Sequence, residues 1–265
     1  MDSSGYQTLR LAVENQIATL TLSRPEQMNL IDGPAHDEIE QALFELRENR
    51  TVRAAIIAAE GKCFSAGGNF DFMLELNGSP EKNRHSAAKA VAIIESLTNI
   101  PFPVIAAVQG DAIGFGASLA LGCDIVVAYT EVNFADPHVL VGLAAGDGGC
   151  LFWPQAAGIL RAKRYLLTGD YIKADKAYEF GLVTDLVDSA EQALPAAQAL
   201  AEKVAGLSPV AVQGTKRSLN ALMQARAAEV VVLAALYEQQ SMGSSDLKEA
   251  VSAIREKRKP NFRNR

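Results

Sequence analysis

From its N-terminus the chain alternates short apolar runs with amphipathic ones. Residues 6–13 and 17–22 predict two strands joined at Glu14-Asn15-Gln16, a hairpin signal. Residues 33–49 carry Ile39, Leu43 and Leu46 at helical spacing. His36 falls in the first turn of that predicted helix and is expected to be exposed, as is His85 further on. Residues 54–59 and 104–108 are unbroken apolar runs, and the β-branched residues in them suit buried strands. Over residues 70–86 the periodicity loosens around the breaker Gly78-Ser79-Pro80, so a helix is predicted only over 87–97, before Pro101 and Pro103. Beyond Val108, Gln109-Gly110-Asp111 reads as a turn, residues 117–121 as a short packed helix ended by Gly122, and residues 124–129 as another strand. Further helices are predicted over 162–167, 174–180, 190–205, 210–222, 225–242 and 246–257. Strand, turn and helix units that recur without an internal sequence repeat predict an α/β fold.

Composition narrows the function classes. The chain has 265 residues, enough for one large domain or a domain with an appendage. A formal net charge of -6 gives no global basic footprint for nucleic acid. Cys63, Cys123 and Cys150 are odd in number and sit in apolar or Gly-rich surroundings, which reads as buried thiols in a reducing cytosol. The start MDSSGYQTLRLAVEN has neither a basic segment nor an apolar leader. No window is read as membrane-spanning, so a cytoplasmic protein without a membrane partner is expected. The predicted helix 225–242 is mostly apolar and needs something to bury it, which points to an oligomer.

Two glycine-rich turns suggest chemistry. The strand 104–108 leads to Gly114-Phe115-Gly116 at the start of a helix, and the strand 54–59 leads to Phe64-Ser65-Ala66-Gly67-Gly68-Asn69. A turn of this kind gathers free backbone N–H groups, which bind phosphate or a developing oxyanion. Two of them can aim two N–H groups at one carbonyl oxygen.

FSAGGN at 64–69, PVIAAVQGDAIGFG at 103–116 and CDI at 123–125 follow in an order that resembles the crotonase superfamily, also called the enoyl-CoA hydratase/isomerase family. LTGD at 167–170, EFGLVTDLV at 179–187 and the tail EKRKPNF at 256–262 extend the likeness over nearly the whole chain. The resemblance implies an α/β spiral of ββα units with a helical C-terminal region. It places the core with the CoA and active-site loops over residues 1–200. It places a trimerising region over 201–265, giving a homotrimer or a dimer of trimers. It implies an acyl-CoA substrate, with coenzyme A as part of the substrate, no tightly bound cofactor and no metal. The backbone N–H groups of Gly68 and Phe115 would form the oxyanion hole. Arg24, Ala66, Lys257 and Lys259 would meet the CoA, although Arg24 equally fits a solvated loop and the basic tail equally fits a helix end. Residues 70–86 would be a mobile flap, with Phe72, Met73 and Leu76 against the acyl chain.

The acid/base positions depart from the family pattern. Where its hydratases carry two glutamates, this chain has Ser118 and His138. Ser118 reads as a small residue that packs a helix. His138 is the best remaining base, because an ordinary imidazole titrates near neutrality. Asp147, nine residues later in Gly146-Asp147-Gly148-Gly149, can fix its tautomer as in a catalytic diad. The P-H…G-D-G arrangement also resembles the β-diketone hydrolases of the superfamily, such as 6-oxocamphor hydrolase, and the same likeness makes Glu238 a third polar group. Three readings stay open: an acyl-CoA enzyme of the hydratase/isomerase kind, a C–C hydrolase that works without CoA, and a silent CoA-binding member.

Overall fold

The computed structural model describes residues 5–263. In chain order its strands and helices are β1 (Leu9–Glu14), β2 (Ile17–Leu22), α1 (Gly33–Glu48), β3 (Ala54–Ala59), β4 (Cys63–Ser65), α2 (Phe70–Gly78) and α3 (Pro80–Asn99). Then come β5 (Val104–Val108), β6 (Asp111–Ile113), α4 (Phe115–Leu121), β7 (Ile125–Tyr129), β8 (Asn133–Ala135), α5 (Gly149–Ala157) and α6 (Ile159–Leu166). The chain finishes with β9 (Ile172–Lys173), α7 (Ala174–Phe180), β10 (Asp185–Val187), α8 (Ala190–Ala205), α9 (Pro209–Met242) and α10 (Ser245–Arg255).

Six strands form one sheet in the order β1-β2-β3-β5-β7-β10. The β1–β2 hairpin is antiparallel and turns on Asn15 and Gln16, both left-handed, and every other pair in the sheet is parallel. Successive side chains of a strand face opposite ways, so β3 and β5 feed two cores. Ala55, Ile57, Val104 and Ala106 join the main core with Leu43 and Leu46 of α1 and Leu97 of α3. Ile56, Ala58, Ile105 and Ala107 face α8, which answers with Ala197, Ala201 and Ala205 at four-residue spacing. Small side chains on that stripe let the helix approach the sheet closely.

A second sheet, in the order β4-β6-β8-β9, places the chemistry. Its strands β4, β6 and β8 lie side by side and parallel, so their C-terminal ends come out together. β4 runs into the Gly67-Gly68 turn, β6 into Gly114-Phe115, and β8 into Asp136-Pro137-His138. Three segments distant in sequence thereby converge on one spot, as carboxyl ends of parallel strands commonly do.

Several expectations change. Residues 70–86 are helical: Asn69 caps α2 by accepting from the Phe72 N–H, and Ser79 caps α3 by accepting from the Lys82 N–H. The breaker Gly78-Ser79-Pro80 separates two helices, and α3 starts seven residues earlier than predicted, with Pro80 at its first position. Helix α5 went unpredicted; it opens on Gly149 and carries Pro154 inside it, neither of which favours a helix. The two helices predicted over 210–222 and 225–242 are one helix of 34 residues. Contrary to the reading that no segment reaches membrane length, α9 is long and apolar enough to cross a membrane by length and composition. Polar bonds nevertheless tie it to the core. Lys216 Nζ donates to Phe102 O at 2.8 Å and to Asp124 Oδ2 at 2.7 Å, and Asn220 Nδ2 donates to Thr98 O at 2.7 Å.

Candidate active site

The two glycine-rich turns meet face to face. Gly67 is left-handed, and a Cβ there would lie 2.8 Å from Ile113 O, so only glycine lets the first turn close on the end of β6. Ile31 N–H donates to Gly67 O at 2.8 Å and Asn69 N–H to Ile31 O at 2.9 Å. This bridge uses the groups on either side of Gly68 and leaves its own N–H without a backbone acceptor among the described residues. Phe115 opens α4, where the first N–H groups have no intrahelical partner. Gly68 and Phe115 line one cavity of about 50 Å³ together with His138, Asp147 and Glu238. Phe72, Met73 and Leu76 line it too, although they come from the helix α2 and not from a loop.

His138 starts a short 3-10 helix, His138–Val141, and its ring is buried among carboxylates. Nδ1 contacts Asp136 Oδ1, and Nε2 lies 3.2 Å from Asp147 Oδ2 and 4.0 Å from Glu238 Oε1. Burial pulls the imidazole pKa down, but Asp147 and Asp136 outweigh it and hold the group well above its ordinary value. Glu238 moves the other way: burial, then repulsion from Asp147, raises its carboxyl to about 8. Ser118 is buried, and its Oγ lies 3.4 Å from Asp147 Oδ1. A carboxylate from the Gly146–Gly149 turn therefore stands beside the position where the sequence itself has none. Glycine makes this approach possible: a Cβ on Gly149 would lie 2.0 Å from Asp136 Oδ2, and one on Gly146 2.7 Å from Glu238 Oε2. Asp136, His138 and Asp147 have ligand atoms within 4.8 Å of one another, a spacing a metal could use, yet each imidazole nitrogen already faces one of the two carboxylates.

Asp136 escaped the sequence reading. Its signal was its place just past the strand-like Asn133-Phe134-Ala135, two residues before His138. It is fully buried, with Oδ2 unpartnered among the described residues. His36 also needs correction, because it is half-buried and lines the cavity. Its ring lies 5.0 Å from that of Phe115 and 6.0 Å from that of Phe72. Burial pulls its pKa down to about 4, so it is neutral near pH 7. The first turn of α1 is covered by α2, which the sequence pattern did not show as a helix.

The remaining predicted residues lie in three places. Ala66 lines a groove of about 360 Å³ that shares Gly68, Met73 and His138 with the central cavity. Arg24 grips Asp32 at 2.8 and 2.9 Å and the Leu30 carbonyl at 2.5 Å, holding the loop that leads into α1. Lys257 and Lys259 are exposed on the tail after α10, where Arg258 pairs with Glu249 and Glu256.

Residues 12–265 match the family model described as enoyl-CoA hydratase/isomerase. A crotonyl-CoA hydratase of Syntrophomonas wolfei is 33% identical over 258 residues, covering 97% of this chain and 98% of that protein. A 1,2-epoxyphenylacetyl-CoA isomerase of Escherichia coli is 31% identical over 252 residues, covering 94% of this chain and 96% of that protein. Among solved structures, an enoyl-CoA hydratase/isomerase from Mycobacterium paratuberculosis superposes with a TM-score of 0.90 at 34% identity, covering 94% of this chain and 99% of that one.

Proposed function

The chain belongs to the enoyl-CoA hydratase/isomerase family, and from that premise we propose that it binds an acyl-CoA thioester with the carbonyl oxygen between the amides of Gly68 and Phe115 and moves protons at the neighbouring carbons. The observation that carries this reading is the shared cavity: Gly68, Phe115, His138, Asp147 and Glu238 all line it. Two preorganised donors stabilise the enolate oxygen that forms when charge leaves the α-carbon, and losing one such donor costs about 3–4 kcal/mol.

The acid/base work then falls to a set of three. Glu238, raised to about 8, rests as a neutral acid and can protonate the α-carbon. Asp147, beside Ser118, accepts the proton of a water whose oxygen bonds to the β-carbon. His138 lies 3.2 Å from Asp147 and 4.0 Å from Glu238, so it can carry that proton back to Glu238 and close the cycle. With a raised pKa, His138 rests as the acid and relays protons, which differs from the free base expected of it in the sequence. Asp136 holds the far side of its ring. The groove past Ala66 suits the arm of coenzyme A, with Lys257 and Lys259 as candidate contacts for its nucleotide end. The region 201–265 serves assembly.

A second reading, hydrolysis of a β-diketone C–C bond, draws on the same His138–Asp147 approach. Crotonyl-CoA and a cyclic β-diketone, assayed side by side, separate the two. Conversion of crotonyl-CoA that Glu238→Gln abolishes supports the thioester reading. Cleavage of the diketone without CoA, with no change to any enoyl-CoA, would overturn it.

A further inference from the structure

His36 plays no part in the proton cycle above, yet it stands where the acyl chain must pass. The central cavity and a wider vestibule of about 550 Å³ share four wall residues: His36, Phe72, Leu76 and Ser86. A thioester held at Gly68 and Phe115 that extends into the vestibule therefore crosses the His36 ring. Nδ1 of His36 is sealed from solvent and bonds to nothing among the described residues. No hydrogen bond from Nε2 to a described residue exists either. A proton is least costly on the nitrogen that a ligand or water can reach, because a buried N–H without an acceptor is penalised. The neutral ring thus presents Nε2–H toward the space it lines. Its packing against Phe115 and Phe72 fixes the ring plane and with it the direction of that donor.

The vestibule beyond has a mostly apolar wall with charged groups set into it. Its walls include Asp37 of α1 and Glu81, Lys82, His85 and Lys89 of α3. Lys89 pairs with Asp37 across the vestibule, and Lys82 with Glu75. A chain that carries an oxygen at the neck gives the unpartnered His36 ring the acceptor it lacks. We propose that His36 is a specificity-determining residue, donating a hydrogen bond from its imidazole to a ketone or hydroxyl oxygen carried on the acyl chain beyond its β-carbon. The proposal rests on the thioester reading above.

Calorimetry with hexanoyl-CoA and 5-oxohexanoyl-CoA tests it, because neither is a 2-enoyl thioester and binding is read apart from turnover. The wild-type protein should bind the oxo compound about fivefold tighter, the factor that one net hydrogen bond supplies. In His36→Phe the ratio of the two affinities should fall to within about twofold of one. In His36→Gln, whose side-chain amide reaches the place of Nε2 and keeps a donor there, a preference should persist. If His36→Phe does not fold, His36→Asn, whose shorter amide stops at the sealed Nδ1 position, stands for loss of the donor and His36→Gln for its retention, with the ratio again as readout. Equal wild-type affinities for the two compounds, or a ratio unchanged in every His36 variant, would overturn the role of His36 and leave the thioester reading standing. Failure of both compounds to bind the wild-type protein would remove the thioester reading, and this proposal with it.

Discussion

At Glu238 a carboxyl group sits against a second carboxylate and a histidine in a small cavity, and burial sets its proton affinity. An acid raised to about 8 is competent as a donor below that pH and loses the proton above it, so kcat should fall as pH rises through about 8. Glu238→Gln keeps the shape but cannot give up a proton. It should lower kcat about 100- to 10,000-fold and remove the limb from the residual rate, and a pH profile of the two proteins checks this. The pair next to it should act as a unit. His138→Ala and Asp147→Asn should each lower turnover by a similar large factor, and the double variant should be little worse than either single one. Near-normal turnover in His138→Ala, measured on the same substrate, would remove the relay.

At the scale of elements, the site is assembled by three parallel strand ends, and the sequence carried part of that plan. The strands β2, β3 and β5 and the helices α7 and α8 were legible because each buries a clean apolar run or stripe. The Gly67-Gly68 and Gly114-Phe115 turns were legible because glycine punctuates a strand end visibly. The second sheet was mostly hidden: β4, β6 and β8 are three residues each, too short for any period to register. That is why Asp136, fixed by the end of β8, went unseen while His138 did not. Residues 70–86 misled for another reason, since α2 is apolar on several faces, the breaker Gly78-Ser79-Pro80 falls between two helices, and α10, which packs on α2, is remote in sequence. One contact invisible to periodicity anchors α9: Lys216, buried, joins the segment before β5 to Asp124 before β7. Replacing Lys216 with Met leaves a carbonyl and a carboxylate without their donor, and Asp124 is open enough to recover some water. The expected loss is about 1–3 kcal/mol in urea unfolding, with an unchanged slope.

At the scale of the whole molecule, α9 buries one face against α3 and α5 and leaves Leu219, Leu222, Val232, Leu233, Leu236 and Tyr237 exposed. A surface of that kind invites association, and the polar bonds of the helix to the core favour a protein partner over a lipid one. Sedimentation equilibrium should show a trimer or a multiple of it at micromolar concentration, and a stable monomer would contradict the assembly role given to residues 201–265. The central claim, though, concerns the thioester: that two amides and a buried acid set loosen the proton on its α-carbon. The measurement that reaches it most directly is exchange of the α-protons of a saturated acyl-CoA in D2O, followed by proton NMR, because it depends on enolate formation and on no particular overall reaction. Above about pH 8, where Glu238 is a carboxylate that can take the proton, the wild-type protein should exchange them, and Glu238→Gln or His138→Ala should slow the exchange at least about 100-fold. An acyl-CoA that binds in saturating amounts and keeps its α-protons indefinitely would contradict the account.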